Sequence, residues 1–405
     1  MSSYGISMSA YGSPIEGYPP LGGQIVVDLR SDTISKPTPE MKNYMFNCEV
    51  GDDVYLEDPT CKELQEKAAK LAGKESAIFV PSGTMGNLIA IMAHCDRRDS
   101  EIIVGDCSHI ILWEQGGASR IGQILMREIR NNKDGTFDLD EMEAKFSMGD
   151  DVHCSRTGLV CVENTHNYCG GTVLPIHWLR ELKDRCQQQN IPVHMDGARV
   201  FNAAIYLGLP LSEVLASVDT VMFCLSKGLG APVGSILAGP EEFIQKAIRI
   251  RKVLGGGMRQ VGYLAGAGLF ALDNHVDRLR RDHEQTRLIA QAINKMKCPF
   301  IEIDLSNVQT NILVVNFSGN ITAEMFRQRL LTITDEELTV LGRNNVCYVR
   351  VSSLTERTIR IVHYLNVTVE DIKLAIQKIA FVAKELSCKL NKRMKGYGEM
   401  KVNYL

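Results

Sequence analysis

The sequence predicts an α/β fold: a doubly wound, mainly parallel sheet followed by a smaller α+β C-terminal domain. Two observations carry this. Short, unbroken apolar runs recur from residue 77 onward, and each is followed by a segment of helical length with an apolar face. Strands that are apolar on both faces belong to a parallel sheet covered by helices on both sides.

The elements follow in order. "AIFV" (77–80) runs through "PSGTMGN" into the helical "NLIAIMAHC". "EIIV" (101–104) leads to "GDCSH", and "GLVCVE" (158–163) leads to "NTHN". "PVHM" (192–195) meets "DGARVFNAA", and "TVMFCL" (220–225) meets "SKGLGAPVGS". A long helical stretch over about 259–297 closes this region. The pattern then changes: "TNILVVNFSG" (310–319) and "TIRIVHYLN" (358–366) read as strands, with helices near 322–333 and 369–390. The expected organisation is a disordered tail at 1–24, a large α/β domain at 25–270 that includes the segment 25–60, and a smaller domain at 271–405. The tail is rich in Gly, Ser, Pro and Tyr and has no Lys or Arg, a composition that does not bury a core.

The 405 residues carry 45 basic and 48 acidic side chains, a net charge of −3. That balance excludes an electrostatic case for nucleic acid or an anionic membrane as partner. No apolar run reaches the roughly 18 residues that span a bilayer. Twelve cysteines are scattered with no C-x-x-C spacing. With no secretory or transit signal at the start, they read as reduced thiols of a cytoplasmic protein.

In an open parallel sheet, ligands bind beyond the carboxyl ends of the strands. Here those ends carry Ser82-Gly83-Thr84, His109, Glu163 to His166, Asp196 to Arg199, and Ser226-Lys227. The turn "PSGTMGN" opens a helix, so its backbone N–H groups and hydroxyls suit a phosphate; taken alone it equally suits a plain N-cap. Asp196 at a strand end either caps the next helix or holds a protonated heterocycle nitrogen. Lys227 lies just past an apolar strand, where an amine is costly unless it is used, and an amine held out of water forms a Schiff base. His109 is the candidate to stack on the ring. "GGGMRQ" (255–260) puts Arg259 near a phosphate or a neighbouring subunit, or is a flexible helix end.

Longer strings carry a resemblance. "DLRSDTISKPTPEM" (28–41), "EVGDDVY" (49–55), "EDPT" (57–60), "FVPSGTMGN" (79–87), "ENTHN" (163–167), "HMDGARVFNA" (194–203), "MFCLSKGLGAPVGS" (222–235) and "LGGGMRQ" (254–260) resemble the L-threonine aldolase family of fold type I pyridoxal phosphate enzymes. The match runs over about residues 26–385. The resemblance implies pyridoxal 5′-phosphate-dependent retro-aldol cleavage of L-threonine or L-allo-threonine to glycine and acetaldehyde. It further implies a homotetramer in glycine biosynthesis and threonine catabolism, with no metal ligands.

By the same resemblance, Lys227 is the Schiff-base lysine, Asp196 pairs with the pyridine nitrogen and His109 stacks on the ring. Gly83 and Thr84 bind the phosphate. Ser31, Arg199 and Arg360 hold the substrate carboxylate, and His166 lies near the substrate hydroxyl. Lys252 and Arg259 are basic residues near the cofactor. The base for the β-hydroxyl proton is His166, His109 or a water between them. Two departures stand out: Leu56 where many members have Gly, and Trp113 where others carry Tyr or Phe. The other readings are a fold type I lyase acting on a different β-substituted amino acid, and a catalytically silent relative.

Overall fold

The computed structural model describes residues 25–149 and 151–400, with side chains described as far as Lys389. The expected tail at 1–24 lies outside the described residues. The chain forms two compact units: Thr33–Arg281, and a second made of the residues up to Asp32 together with those from Asp282 onward. The division therefore falls later than residue 270, and the first strand goes with the C-terminal unit. The reason is a pairing between distant segments: β1 (Val26–Asp28) lies parallel to β11 (Tyr348–Arg350).

The larger unit is built on a seven-stranded sheet. Its strands are β2 (Ser76–Val80), β3 (Ser100–Gly105), β4 (Leu125–Ile129), β5 (Arg156–Glu163), β6 (Val193–Asp196), β7 (Thr220–Cys224) and β8 (Ser235–Gly239). The order across the sheet is β2-β8-β7-β6-β5-β3-β4. Pairing is parallel from β7 to β4, whereas β8 runs antiparallel to both β2 and β7. This is the mainly parallel α/β sheet expected. Every residue of β3, β6, β7 and β8 is buried, as strands covered on both faces must be. Phe223 meets Phe201 edge to face, with ring centroids 5.4 Å apart; burying a side chain of that size contributes about 1.5–3 kcal/mol.

The expected helical stretch at 259–297 is two helices, Gly262–Asn274 and Leu279–Lys295. In the smaller unit, β12 (Ser352–Thr355), β13 (Thr358–Val362), β10 (Ile312–Phe317) and β9 (Ile301–Glu302) form an antiparallel sheet in that order. Beside it lies a buried ion pair, Lys378 Nζ to Glu337 at 2.6 Å, with Arg329 bonded to the same carboxylate at 3.1 Å. No helix of the described residues is long and apolar enough to cross a membrane. All twelve cysteines are free thiols.

Candidate active site

The strand ends of the larger unit are level. Glu163 pairs with Asp196 across β5–β6, and Asp196 pairs with Met222 across β6–β7. Over this edge lies the start of the helix Gly83–His94. A Cβ on Gly83 would come within 2.9 Å of Cys224 Sγ, and one on Gly86 within 2.6 Å of Met222 Cγ. The glycines therefore let the helix start rest on the strand that leads to Lys227. Ser82 Oγ accepts from the Met85 amide at 3.2 Å, so it is an N-cap. The amides of Gly83 and Thr84 find no acceptor among the described residues, which leaves helix-start donors open to an anion.

A polar network joins His109 to Asp196. The His109 amide donates to Glu163 Oε2 at 2.7 Å, and the Asn167 amide donates to Glu163 Oε1 at 2.8 Å. Glu163 thus ties the loops after β3 and β5 together. His109 Nδ1 bonds Glu114 Oε1 at 2.9 Å. Asn87 Nδ2 donates to Glu114 Oε1 at 2.8 Å and to Asp196 Oδ2 at 2.9 Å, while Asp196 Oδ1 accepts from the Ala198 amide at 3.0 Å. Ligand-capable atoms of His109, Glu114 and Asp196 lie within 4.8 Å of one another; both carboxylates already accept from Asn87.

Burial pulls the His109 imidazole down, but its bond to Glu114 and the carboxylates of Asp196, Glu114 and Glu163 outweigh burial and hold it above the ordinary histidine value. Burial pushes the Glu114 carboxyl up, with Asp196 adding to the effect. Imidazole and carboxyl are thus both displaced upward and joined by one hydrogen bond, an arrangement that recurs at functional sites.

Lys227 is half-buried and starts a tight turn in which the Gly230 amide donates to its carbonyl at 2.9 Å. Gly230 and Gly234 sit at φ 79° and 106°, positions that favour glycine. The loop is pinned from outside: His275 Nδ1 donates to the Leu229 carbonyl at 2.7 Å and Arg278 to the Gly228 carbonyl at 3.1 Å.

Arg199 is buried at the start of the helix Val200–Leu207. His166 is fully buried, and its Nδ1 accepts from the Cys169 amide at 3.4 Å. That bond leaves the proton on Nε2, which is buried with no partner among the described residues. Trp113 follows the short helix His109–Leu112 and stands between His109 and Glu114 in the chain. Arg259 is 53% exposed, bonds Asp52 at 2.9 Å and lies 5.9 Å from the Tyr55 ring. Lys252 is exposed as well, and among the described residues no hydrogen bond joins Lys252 or Arg259 to the His109–Asp196 network. Leu56 adopts φ 60°, the left-handed region where glycine is favoured, which explains the glycine that the family pattern carries there. Ser31 and Arg360 belong to the smaller unit, where Arg360 Nη2 on β13 donates to the Arg30 carbonyl at 3.3 Å.

Asn87 and Glu114 were not singled out by the sequence. Asn87 ends "PSGTMGN", four residues after Gly83 and so on the same helix face as the phosphate turn. Glu114 lies five residues past His109. Their positions were readable, but their meeting at Asp196 depends on tertiary folding.

The profile of a family described as beta-eliminating lyase matches residues 28–318. The chain belongs to that family. Within it, the chain is 42% identical over 356 residues to low-specificity L-threonine aldolase 1 of Arabidopsis thaliana, covering 87% of this chain and 98% of that one. It is 45% identical over 290 residues to the low specificity L-threonine aldolase of Escherichia coli K12, covering 72% of this chain and 84% of that one. A solved structure of a Leishmania major threonine aldolase has the same fold: its TM-score is 0.69 at 17% identity, over 89% of this chain and 99% of that chain. The resemblance to L-threonine aldolases read from the sequence is borne out, and the beta-eliminating lyase family makes the chain a lyase.

The same interior carries a pH dependence. Burial pulls His94 down to about 4 and His194 down to about 3. Both stay neutral in the folded chain, while the unfolded chain binds protons below about pH 6.5. Stability is therefore expected to be full above pH 6.5 and to fall as pH drops toward 4, by about 1.4 kcal/mol per pH unit for each histidine. Urea unfolding from pH 7 to pH 4 checks this; His194→Gln should flatten the slope by one histidine's share.

Proposed function

We propose that the chain cleaves L-threonine and L-allo-threonine to glycine and acetaldehyde with pyridoxal 5′-phosphate as cofactor. The observation that carries this is the network that gathers the imidazole of His109 and the carboxylate of Asp196 at the strand edge leading to Lys227. The residues fit the cofactor. The Gly83 and Thr84 amides would hold its phosphate, the buried Asp196 carboxylate suits a ring nitrogen that carries a proton, and the Lys227 amine would hold the cofactor covalently. When bound, it supplies an electron sink for the bond between the α and β carbons.

The chain's own residues do the rest. Arg199 grips the substrate carboxylate, and Ser31 and Arg360 are assigned the same task on the resemblance alone. A fixed carboxylate sets which bond of the α carbon faces the sink. His109 donates through Nδ1 to Glu114, so in its neutral form Nε2 has a lone pair to take the β-hydroxyl proton. His166, with its proton on Nε2, serves as a donor to the hydroxyl oxygen. His109→Phe keeps an aromatic ring and removes the base; the expected outcome is bound cofactor with turnover reduced by about 10²-fold or more.

Lys252 and Arg259 are assigned to a neighbouring subunit's site, because both are exposed and neither joins the network of their own chain. That assignment calls for at least a second chain at each site, and the family resemblance makes the assembly a homotetramer. Exposed apolar residues in the larger unit support it: Phe46 at 81%, Leu56 at 77% and Val253 at 82%. Sedimentation velocity is expected to give a single species of four chains; a monomer contradicts it. The compartment is assigned as cytoplasmic on the twelve unpaired thiols.

The test of the reading is spectroscopic. Purified protein reconstituted with pyridoxal 5′-phosphate should be yellow, and its spectrum should change when glycine is added. A protein that stays colourless supports the silent-relative reading.

A further inference from the structure

Behind Asp196 lies a row of polar side chains that the proposed reaction does not use. His194 and Asp196 are two residues apart on β6, so they point to one face of the sheet. Thr220 pairs with His194 across β6–β7. The helix Gly83–His94 covers that face, and its residues Asn87 and His94 lie two turns apart on one side. The contacts run without a gap. His94 Nε2 lies 2.9 Å from Thr220 Oγ1, Thr220 Oγ1 lies 2.9 Å from His194 Nδ1, and His194 Nε2 lies 3.1 Å from Asn87 Oδ1. Asn87 Nδ2 then reaches Asp196 at 2.9 Å and Glu114 at 2.8 Å.

The direction of each bond is determined. Two carboxylates can only accept, so the Asn87 nitrogen faces them and its oxygen faces His194. His194 must then carry its proton on Nε2. With a neutral ring, Nδ1 is an acceptor, so the Thr220 hydroxyl donates to it. The Thr220 oxygen in turn accepts from His94 Nε2–H. His94 is anchored at the far end by stacking on Phe243, with ring centroids 4.7 Å apart.

We propose that His94, Thr220, His194 and Asn87 form a one-way hydrogen-bond chain that orients the Asp196 carboxylate, making Asn87 and His194 positioning residues for the cofactor's ring nitrogen. This rests on the cofactor reading above. Each donor points toward Asp196, and bonds aligned in series in a dry interior strengthen one another. Burial keeps both rings neutral, and the carboxylates at the Asn87 end set which way the bonds run.

Two measurements test it. Solid-state NMR of protein labelled with ¹⁵N-histidine, assigned with His94 and His194 variants, should show both rings neutral with the proton on Nε2 at pH 7.5. An imidazolium or an Nδ1–H form at either residue overturns the chain. This result does not depend on what the protein catalyses. The second measurement is the dissociation constant of pyridoxal 5′-phosphate, read from visible absorbance with circular dichroism as a folding control. His194→Leu and Asn87→Leu should weaken binding by about tenfold or more, and His194→Gln, which keeps a donor toward Asn87, should restore most of it. Thr220→Val cuts the chain one link further back at nearly constant volume; if the leucine variants fail to fold, it should weaken cofactor binding while leaving the proton on His194 Nε2, which Asn87 fixes, and unchanged affinity then overturns the positioning role. Unchanged affinity in folded Leu variants overturns the positioning role. An unaltered protein that takes up no pyridoxal 5′-phosphate overturns the functional reading, and with it that role, while the NMR result stands separately.

Discussion

Lys227→Ala is expected to lower acetaldehyde release by on the order of 10⁴-fold while leaving the fold intact. The side chain is half-buried on a loop whose backbone is held by other residues: Gly230, His275 and Arg278 bond the carbonyls of Lys227, Leu229 and Gly228. Truncating it removes an amine from a mainly glycine turn without opening a core cavity. The measurement is a rate assay with circular dichroism on the same sample. A large loss with an unchanged spectrum places the effect in the chemistry, whereas activity within about tenfold of the unaltered protein contradicts a covalent role for this lysine.

Asp196→Asn is expected to cost about 3–5 kcal/mol of activation free energy, the penalty for leaving a buried charge without its partner, or on the order of 10²- to 10⁴-fold in rate. Asp196 is only 2% exposed, and its carboxylate accepts from Asn87 and Ala198. An amide there also sets one donor against another, since Asn87 Nδ2 is fixed by Glu114 and cannot turn its oxygen round. Cofactor should therefore bind more weakly and turn over more slowly than with Asp. A rate within a few-fold of the unaltered protein would mean that the ring nitrogen is held elsewhere.

Much of the larger unit was legible because its strands are buried on both faces and leave unbroken apolar runs. β4 escaped notice for the opposite reason: Arg127 and Glu128 interrupt "LMREI", and the strand lies at the sheet edge with exposed residues. β8 was hidden in plain view, since "SILAG" follows the glycines of the Lys227 loop and returns antiparallel beside β7. The β1–β11 pairing joins segments at opposite ends of the chain, and no local period announces such a partner. Of the candidate site, Lys227, Asp196, His109 and the Ser82 turn were visible as reactive or small residues at strand ends. The residues that hold them were not. Asn87, Glu114, His194 and Thr220 act through bonds that exist only once the helix Gly83–His94 lies across β6 and β7.

The most direct test of the account is acetaldehyde release from L-threonine and L-allo-threonine, run side by side on the cofactor-loaded protein with Lys227→Ala in parallel. The account predicts release from both substrates and its loss in the variant. A yellow protein that releases no acetaldehyde from either one would contradict retro-aldol cleavage and leave β-elimination on the same strand-edge site.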